Sequence, residues 1–148
     1  MKILIVYDTK HGNTKKVAEL IGEGLESAEE NVITIENVKE IDLNKDMTYD
    51  LILIGSPNHV GSHTKNIKKL IKNLPDALLK GKSFAVFDTY MGKDFEKAVK
   101  KMEKQITELM PNLNKISPGL SIKVGGMKGP IVDEDLPKCK EFGKKLAK

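Results

Sequence analysis

The stretch Ile3-Leu4-Ile5-Val6-Tyr7-Asp8-Thr9-Lys10-His11-Gly12-Asn13-Thr14 decides the fold, because an uninterrupted aliphatic run opens directly into hydroxyls, amides and one glycine. A run such as Ile3 to Val6 is what a strand buried on both faces of a parallel sheet requires. Beyond the loop, Val17, Leu20, Ile21, Leu25 and Ala28 recur at helical spacing. The first N–H groups of such a helix have no acceptor within it, and its start carries about half a positive charge. Gly12 lets the backbone come close to an anion there, and Thr9, Asn13 and Thr14 add side-chain donors. The stretch reads as a phosphate cradle; the plainer alternative is a hydroxyl-rich loop that only caps the helix.

The rest of the chain repeats this alternation. Val32-Ile33-Thr34-Ile35 reads as a short strand, followed by a polar connection, Asp42 to Asp46, with room for a short helix. Leu51-Ile52-Leu53-Ile54 is a second fully apolar strand ending at Gly55-Ser56-Pro57, and Ile67, Leu70, Ile71 and Leu74 mark a helix stopped by Pro75. Phe84-Ala85-Val86-Phe87 is the next buried strand, and Phe95, Ala98, Val99, Met102, Ile106 and Leu109 form the core side of the helix after it. Leu120 to Val124 alternates apolar with polar, which suits a sheet edge, and a last helix starts near Asp135. These segments predict an α/β domain: a doubly wound five-stranded parallel sheet with helices on both faces. The strands starting at Ile3, Leu51 and Phe84 belong in the centre. A ligand then binds beyond the strand C-termini where the strand order reverses.

A chain of 148 residues has the size of one domain, so residues 1–148 are read as a single unit. No segment approaches the ~20 apolar residues of a membrane span, and a strand beginning at Ile3 leaves no room for a signal peptide, so a cytoplasmic protein is expected. The one cysteine, Cys139, excludes an internal disulfide and falls in register with Leu136, Phe142 and Leu146, as a small core residue does. Residues 1–50 hold 6 Lys and 11 acids, whereas residues 51–148 hold 19 Lys and 10 acids. The chain has no Arg, and bidentate reading of phosphates or guanine edges favours Arg, so no nucleic-acid partner is expected. His11, His59 and His63 are too scattered among carboxylates to form a metal site, and none is expected.

The loop matches neither a Walker sequence nor a three-glycine dinucleotide fingerprint, since Gly12 is its only glycine. Thr9-Lys10-His11-Gly12-Asn13-Thr14 instead resembles the FMN-phosphate loop of short-chain flavodoxins and of the flavodoxin-like domain of A-type flavoproteins, with His11 departing from that pattern. The resemblance implies the strand order 2-1-3-4-5 and FMN as cofactor. It also implies a ring site between two further loops, Ser56-Pro57-Asn58-His59-Val60-Gly61 and Asp88-Thr89-Tyr90-Met91-Gly92. Tyr90 stands where the family stacks an aromatic residue on the flavin, whereas the other loop offers only His59. Gly61 is either the family's glycine whose peptide turns toward flavin N5 or an ordinary turn residue, and Gly92 reads as a turn residue. The basic composition also departs from the acidic flavodoxins.

The function implied is a monomeric electron carrier that holds FMN noncovalently and shuttles electrons between redox partner proteins, without catalytic side chains of its own. Lys10, Lys65 and Lys93, in or beside the three loops, point to partners with acidic surfaces. Two alternatives come from other classes: an FMN-dependent oxidoreductase acting on a quinone or similar acceptor, and a flavodoxin-like binding module that has lost FMN.

Overall fold

Strand β1 (Lys2–Tyr7) lies inside the sheet, parallel to β2 (Val32–Asn37) on one side and to β3 (Leu51–Pro57) on the other. Strand β4 (Ser83–Tyr90) continues the sheet beyond β3, again in parallel. These relations come from a computed structural model describing residues 1–45, 48–74 and 82–147. The fifth position of the 2-1-3-4-5 order is filled by two pieces. Strand β5 (Asn114–Lys115) pairs with Ser83 and Phe84, and β6 (Leu120–Lys123) pairs with Phe87 to Tyr90. The break falls on Pro118-Gly119, where proline has no N–H to give to the ladder. Gly119 lies so close to Val99 and Val86 that a side chain would collide with both.

Alternation along β1 assigns its side chains to two cores. Ile3, Ile5 and Tyr7 join the core under helices α1 (Asn13–Leu25) and α4 (Leu136–Leu146). Leu4 and Val6 join the one under α2 (Lys65–Asn73) and α3 (Lys97–Leu109). Both faces of the central strands are therefore covered, which is why they read as unbroken apolar runs. Cys139 is fully buried in the first core, and burial pushes its thiol up to about 12, so it behaves as a small apolar residue. Among the described residues, no helix is long and apolar enough to cross a membrane.

Three expectations are corrected. Phe95 does not belong to the core side of α3: the preceding-turn residue Glu96 takes φ 62°, so the helix begins at Lys97 and Phe95 is 56% exposed. Leu109, at the end of that helix, is 43% exposed. The connection after β2 forms a turn at Asp42 to Lys45, held by the Asp42 carboxylate and carbonyl, and not a helix. Asp46 and Pro75 lie outside the described residues.

Helices α1 and α4 meet at Gly24 and Gly143. A side chain on Gly24 would strike the Lys140 carbonyl, and one on Gly143 the Ile21 carbonyl. Because these neighbours are backbone, a methyl group can be admitted only by separating the helices. Gly143→Ala should therefore destabilise the fold by roughly 1–3 kcal/mol despite its better helix propensity, as read by urea unfolding. Equal or higher stability would mean that the helices are free to part.

Candidate functional site

Strands β1 and β3 are neighbours, yet α1 leaves β1 toward one face of the sheet and α2 leaves β3 toward the other. The loops diverge, and a cavity of about 620 Å³ opens between them at the C-terminal edge of the sheet. This is a size suited to a small organic ligand.

The first loop supplies Thr9, Lys10, His11, Asn13 and Thr14 to the cavity wall. Gly12 takes φ 90° at the N-cap of α1, offers no side-chain cap, and donates its own N–H to Thr9 Oγ1 at 2.9 Å. The first amide of the helix to find a backbone acceptor is that of Lys16, which donates to the Gly12 carbonyl at 3.0 Å. The N–H groups of Asn13, Thr14 and Lys15 have no acceptor among the described residues. Thr14 is buried, with its hydroxyl 2.9 Å from that of Thr89 in the third loop.

The second loop contributes Pro57, Asn58, His59 and Val60. His59 and Ser62 exchange backbone hydrogen bonds of 2.7 and 3.2 Å across Val60 (φ 51°) and Gly61 (φ 76°). Positive φ at both central residues is the type I′ hairpin pattern, unstrained for glycine but costly for β-branched valine. Val60 projects from this turn 89% exposed. The Asn58 N–H donates to the Thr89 carbonyl at 2.7 Å and Asn58 Nδ2 to Asp94 at 2.8 Å, while its Oδ1 is buried without a partner.

The third loop adds Thr89, Tyr90 and Met91. The Tyr90 ring is held edge-on to Phe95, with centroids 5.5 Å apart and planes at 65°. Burial pushes its hydroxyl above the ordinary tyrosine value, with Asp135 and Asp88 acting the same way.

Five of the expected cofactor residues do not line the cavity. Gly12, Gly61 and Gly92 shape the turns, all at positive φ. Ser56 is fully buried, with its hydroxyl donating to the Pro57 carbonyl and accepting from the Thr64 N–H. Asp88 points into the protein, where it accepts from Ser121 Oγ at 2.5 Å and from the Val99 N–H at 3.0 Å, fastening α3 and β6 to β4. Both are framework residues. Lys65 and Lys93 are likewise absent from the wall, and Lys39 is present.

The wall also contains Asp8, Thr64 and Asn66, which sequence reasoning did not single out. They form one cluster: Asp8 accepts from Thr64 Oγ1 at 2.7 Å and from Asn66 Nδ2 at 3.4 Å, and Thr64 caps α2 by accepting from the Ile67 N–H. A threonine just ahead of an amphipathic helix was the available signal for the cap. Val124 and Met127 arrive from the segment after β6, whose position depends on the sheet and not on a local pattern.

The donor set fits a phosphate monoester carrying a flat, largely apolar group. Hydroxyls and acceptor-free amides gather at the α1 start, Tyr90, Met91, Val60 and Met127 offer apolar contact, and the orphaned Asn58 Oδ1 is a buried acceptor in need of a donor. Fold and site together define a doubly wound α/β domain whose ligand cleft lies at the topological switch point.

Residues 4–119 match the flavodoxin domain family, and the chain belongs to that family. It is 34% identical over 73 residues, 49% of its length, to a flavodoxin of Aquifex aeolicus (strain VF5), covering 40% of that protein. It is 32% identical over 89 residues, 60% of its length, to a flavodoxin of Clostridium saccharobutylicum, covering 56%. The matched stretches thus span about half the length of these relatives. A solved flavodoxin from the domain Archaea superposes with a TM-score of 0.84 at 28% identity, covering 99% of this chain and 96% of that one.

Two outcomes follow, one from Asp88 and one from the turn at Val60. Burial pushes the Asp88 carboxyl from 3.8 up to about 6, against the Ser121 and Val99 hydrogen bonds and with Glu96 adding to the rise. The stability this group contributes is present in full below its unfolded value and is lost as pH rises through about 6. Asp88→Asn should therefore be more stable than wild type by roughly 1–3 kcal/mol at neutral pH, with no such advantage near pH 4. Urea titrations at the two pH values read the difference; a constant offset would show that the carboxyl does not titrate on this scale. At Val60, asparagine tolerates the left-handed region, so Val60→Asn should raise stability by about 1 kcal/mol. An unchanged melting temperature would mean that the turn is not strained.

Proposed function

We propose that the chain binds FMN noncovalently in the switch-point cavity and carries electrons between redox partner proteins. The observation behind this reading is the start of α1, where three amides without acceptors and the hydroxyls of Thr9 and Thr14 gather at one end of the cavity. That set suits a doubly charged phosphate, which the helix start favours electrostatically. Tyr90, Met91, His59 and Val60 are the residues available to the ring, and the edge contact with Phe95 limits the orientations open to Tyr90. FMN, when bound, supplies one-electron chemistry that no side chain of the protein provides. The chain's own residues bind and orient it, while the wall's two carboxylates are held by other partners, Asp94 by Lys97 and Asn58 and Asp8 by Thr64 and Asn66.

Phosphate recognition is separable from ring recognition. FMN added to the apoprotein should bind far more tightly than riboflavin, which lacks the phosphate. Thr9→Ala and Thr14→Ala, each removing a hydroxyl from a charged acceptor, should weaken FMN by roughly ten- to a hundredfold while moving riboflavin only about threefold. Quenching of flavin fluorescence measures both. Equal losses for the two flavins would place the phosphate elsewhere, and failure to bind either would overturn the proposal.

A further inference from the structure

Helix α2 begins at the cavity, since its N-cap Thr64 is a wall residue. Ile67, Leu70 and Ile71 face the core, and Lys65, Lys68, Lys69 and Lys72 are exposed on the other side, with no acidic residue anywhere in the helix. The spacing sets each of these lysines three or four residues from two others, a repulsive arrangement on a helix surface. Lys65 and Lys68 also lie in the first turn, where the helix dipole opposes positive charge. Local electrostatics thus works against this placement at three of the four positions, and only Lys72, in the last turn, has a charge the dipole favours.

Helices α3 and α4, by contrast, carry ion pairs of their own. Lys97 pairs with Asp94, Lys100 with Glu96, Lys138 with Asp135 and Lys144 with Glu141. Among the described residues, no carboxylate lies within 4.0 Å of any α2 lysine. Lys101 of α3 extends the basic field: after burial, the charges of Lys68 and Lys101 both hold His63, beneath the seam of the two helices, below its ordinary value. The four lysines span about 10 Å along the axis, close to one Debye length, so an approaching surface meets them as one unit.

We infer that the exposed face of α2 is the docking surface for an acidic redox protein, which it steers toward the mouth of the cavity. This rests on the reading of the chain as an electron carrier. Charge complementarity supplies the partner's chemistry, and the start of the face at Thr64 supplies the direction. Val60, exposed on the neighbouring turn, adds apolar contact next to the charge. A folded acidic protein suits this surface better than a nucleic acid, because the face has neither arginine forks for phosphate nor aromatic rings for bases.

The test compares two triple variants that remove the same charge: Lys65→Gln/Lys68→Gln/Lys69→Gln on α2 and Lys140→Gln/Lys144→Gln/Lys145→Gln on α4. Probes are an acidic plant-type [2Fe–2S] ferredoxin, basic cytochrome c and a short DNA duplex. Affinities are measured by calorimetry with and without FMN, after thermal melts show that the variants are folded. Ferredoxin should bind wild type at low salt and lose at least about tenfold in affinity in the α2 variant, against about twofold in the α4 variant, with all differences vanishing at high salt. Cytochrome c should not bind. Equal losses in the two variants, binding indifferent to salt, or an α2-dependent preference for DNA over ferredoxin would each overturn the assignment. Because docking is read also in the FMN-free protein, failure of FMN binding alone would overturn the carrier reading and leave the surface standing.

Discussion

Two adjacent parallel strands whose helices leave toward opposite faces of the sheet cannot close the space above their own ends. Everything at the site follows from that divergence at β1 and β3. The gap is braced from its rim by polar ties that cross it. Thr89 is the hub: its hydroxyl meets Thr14 of the first loop, and its carbonyl takes the Asn58 N–H of the second. Asp8, at the end of β1, reaches the cap of α2 through Thr64. Three loops distant in sequence are thereby fixed relative to one another by groups that are mostly buried, where such bonds are hard to exchange for water.

The parts of this architecture legible from sequence were those set by burial on two faces. Ile3 to Val6, Leu51 to Ile54 and Phe84 to Phe87 had no solvent-facing side to record in polar residues, so their runs identified the centre of the sheet. The loop after β1 was legible as a wall of the cavity because it concentrates hydroxyls, an amide and a glycine between strand and helix. Phe95 was misread because periodicity assumes one continuous helix, and a left-handed Glu96 resets the phase. The split of the last strand was hidden because a tertiary approach, Gly119 against Val86 and Val99, combines with Pro118 to cause it.

Ser56 and Asp88, expected at the cofactor, turn their side chains away from the cavity. A polar residue at the end of a buried strand can face a ligand or anchor the next helix, and residue type alone does not separate the two. Ser56 receives the amide of Thr64 ahead of α2, and Asp88 receives the amide of Val99 in the first turn of α3. In both, a side chain from the strand end takes up a donor at or just before a helix start. The Asp88 carboxylate is retained in a setting that disfavours its charge, and its two hydrogen bonds only partly compensate.

The four helix starts then differ in a way that bears on the site. The start of α2 has the Thr64 hydroxyl, that of α3 the Asp88 carboxylate, and α4 begins behind Asp135. The start of α1 has neither a side-chain cap nor an acidic residue in its first turn, and Lys15 and Lys16 add charge of the sign the helix already carries. The nearby Asp8 carboxylate is divided, its Oδ1 accepting from the Thr9 N–H of the same loop and its Oδ2 from Thr64 and Asn66 across the gap. The amides of Asn13, Thr14 and Lys15, which have no acceptor among the described residues, leave this helix start suited to an anion in the cavity, beside the hydroxyls of Thr9 and Thr14.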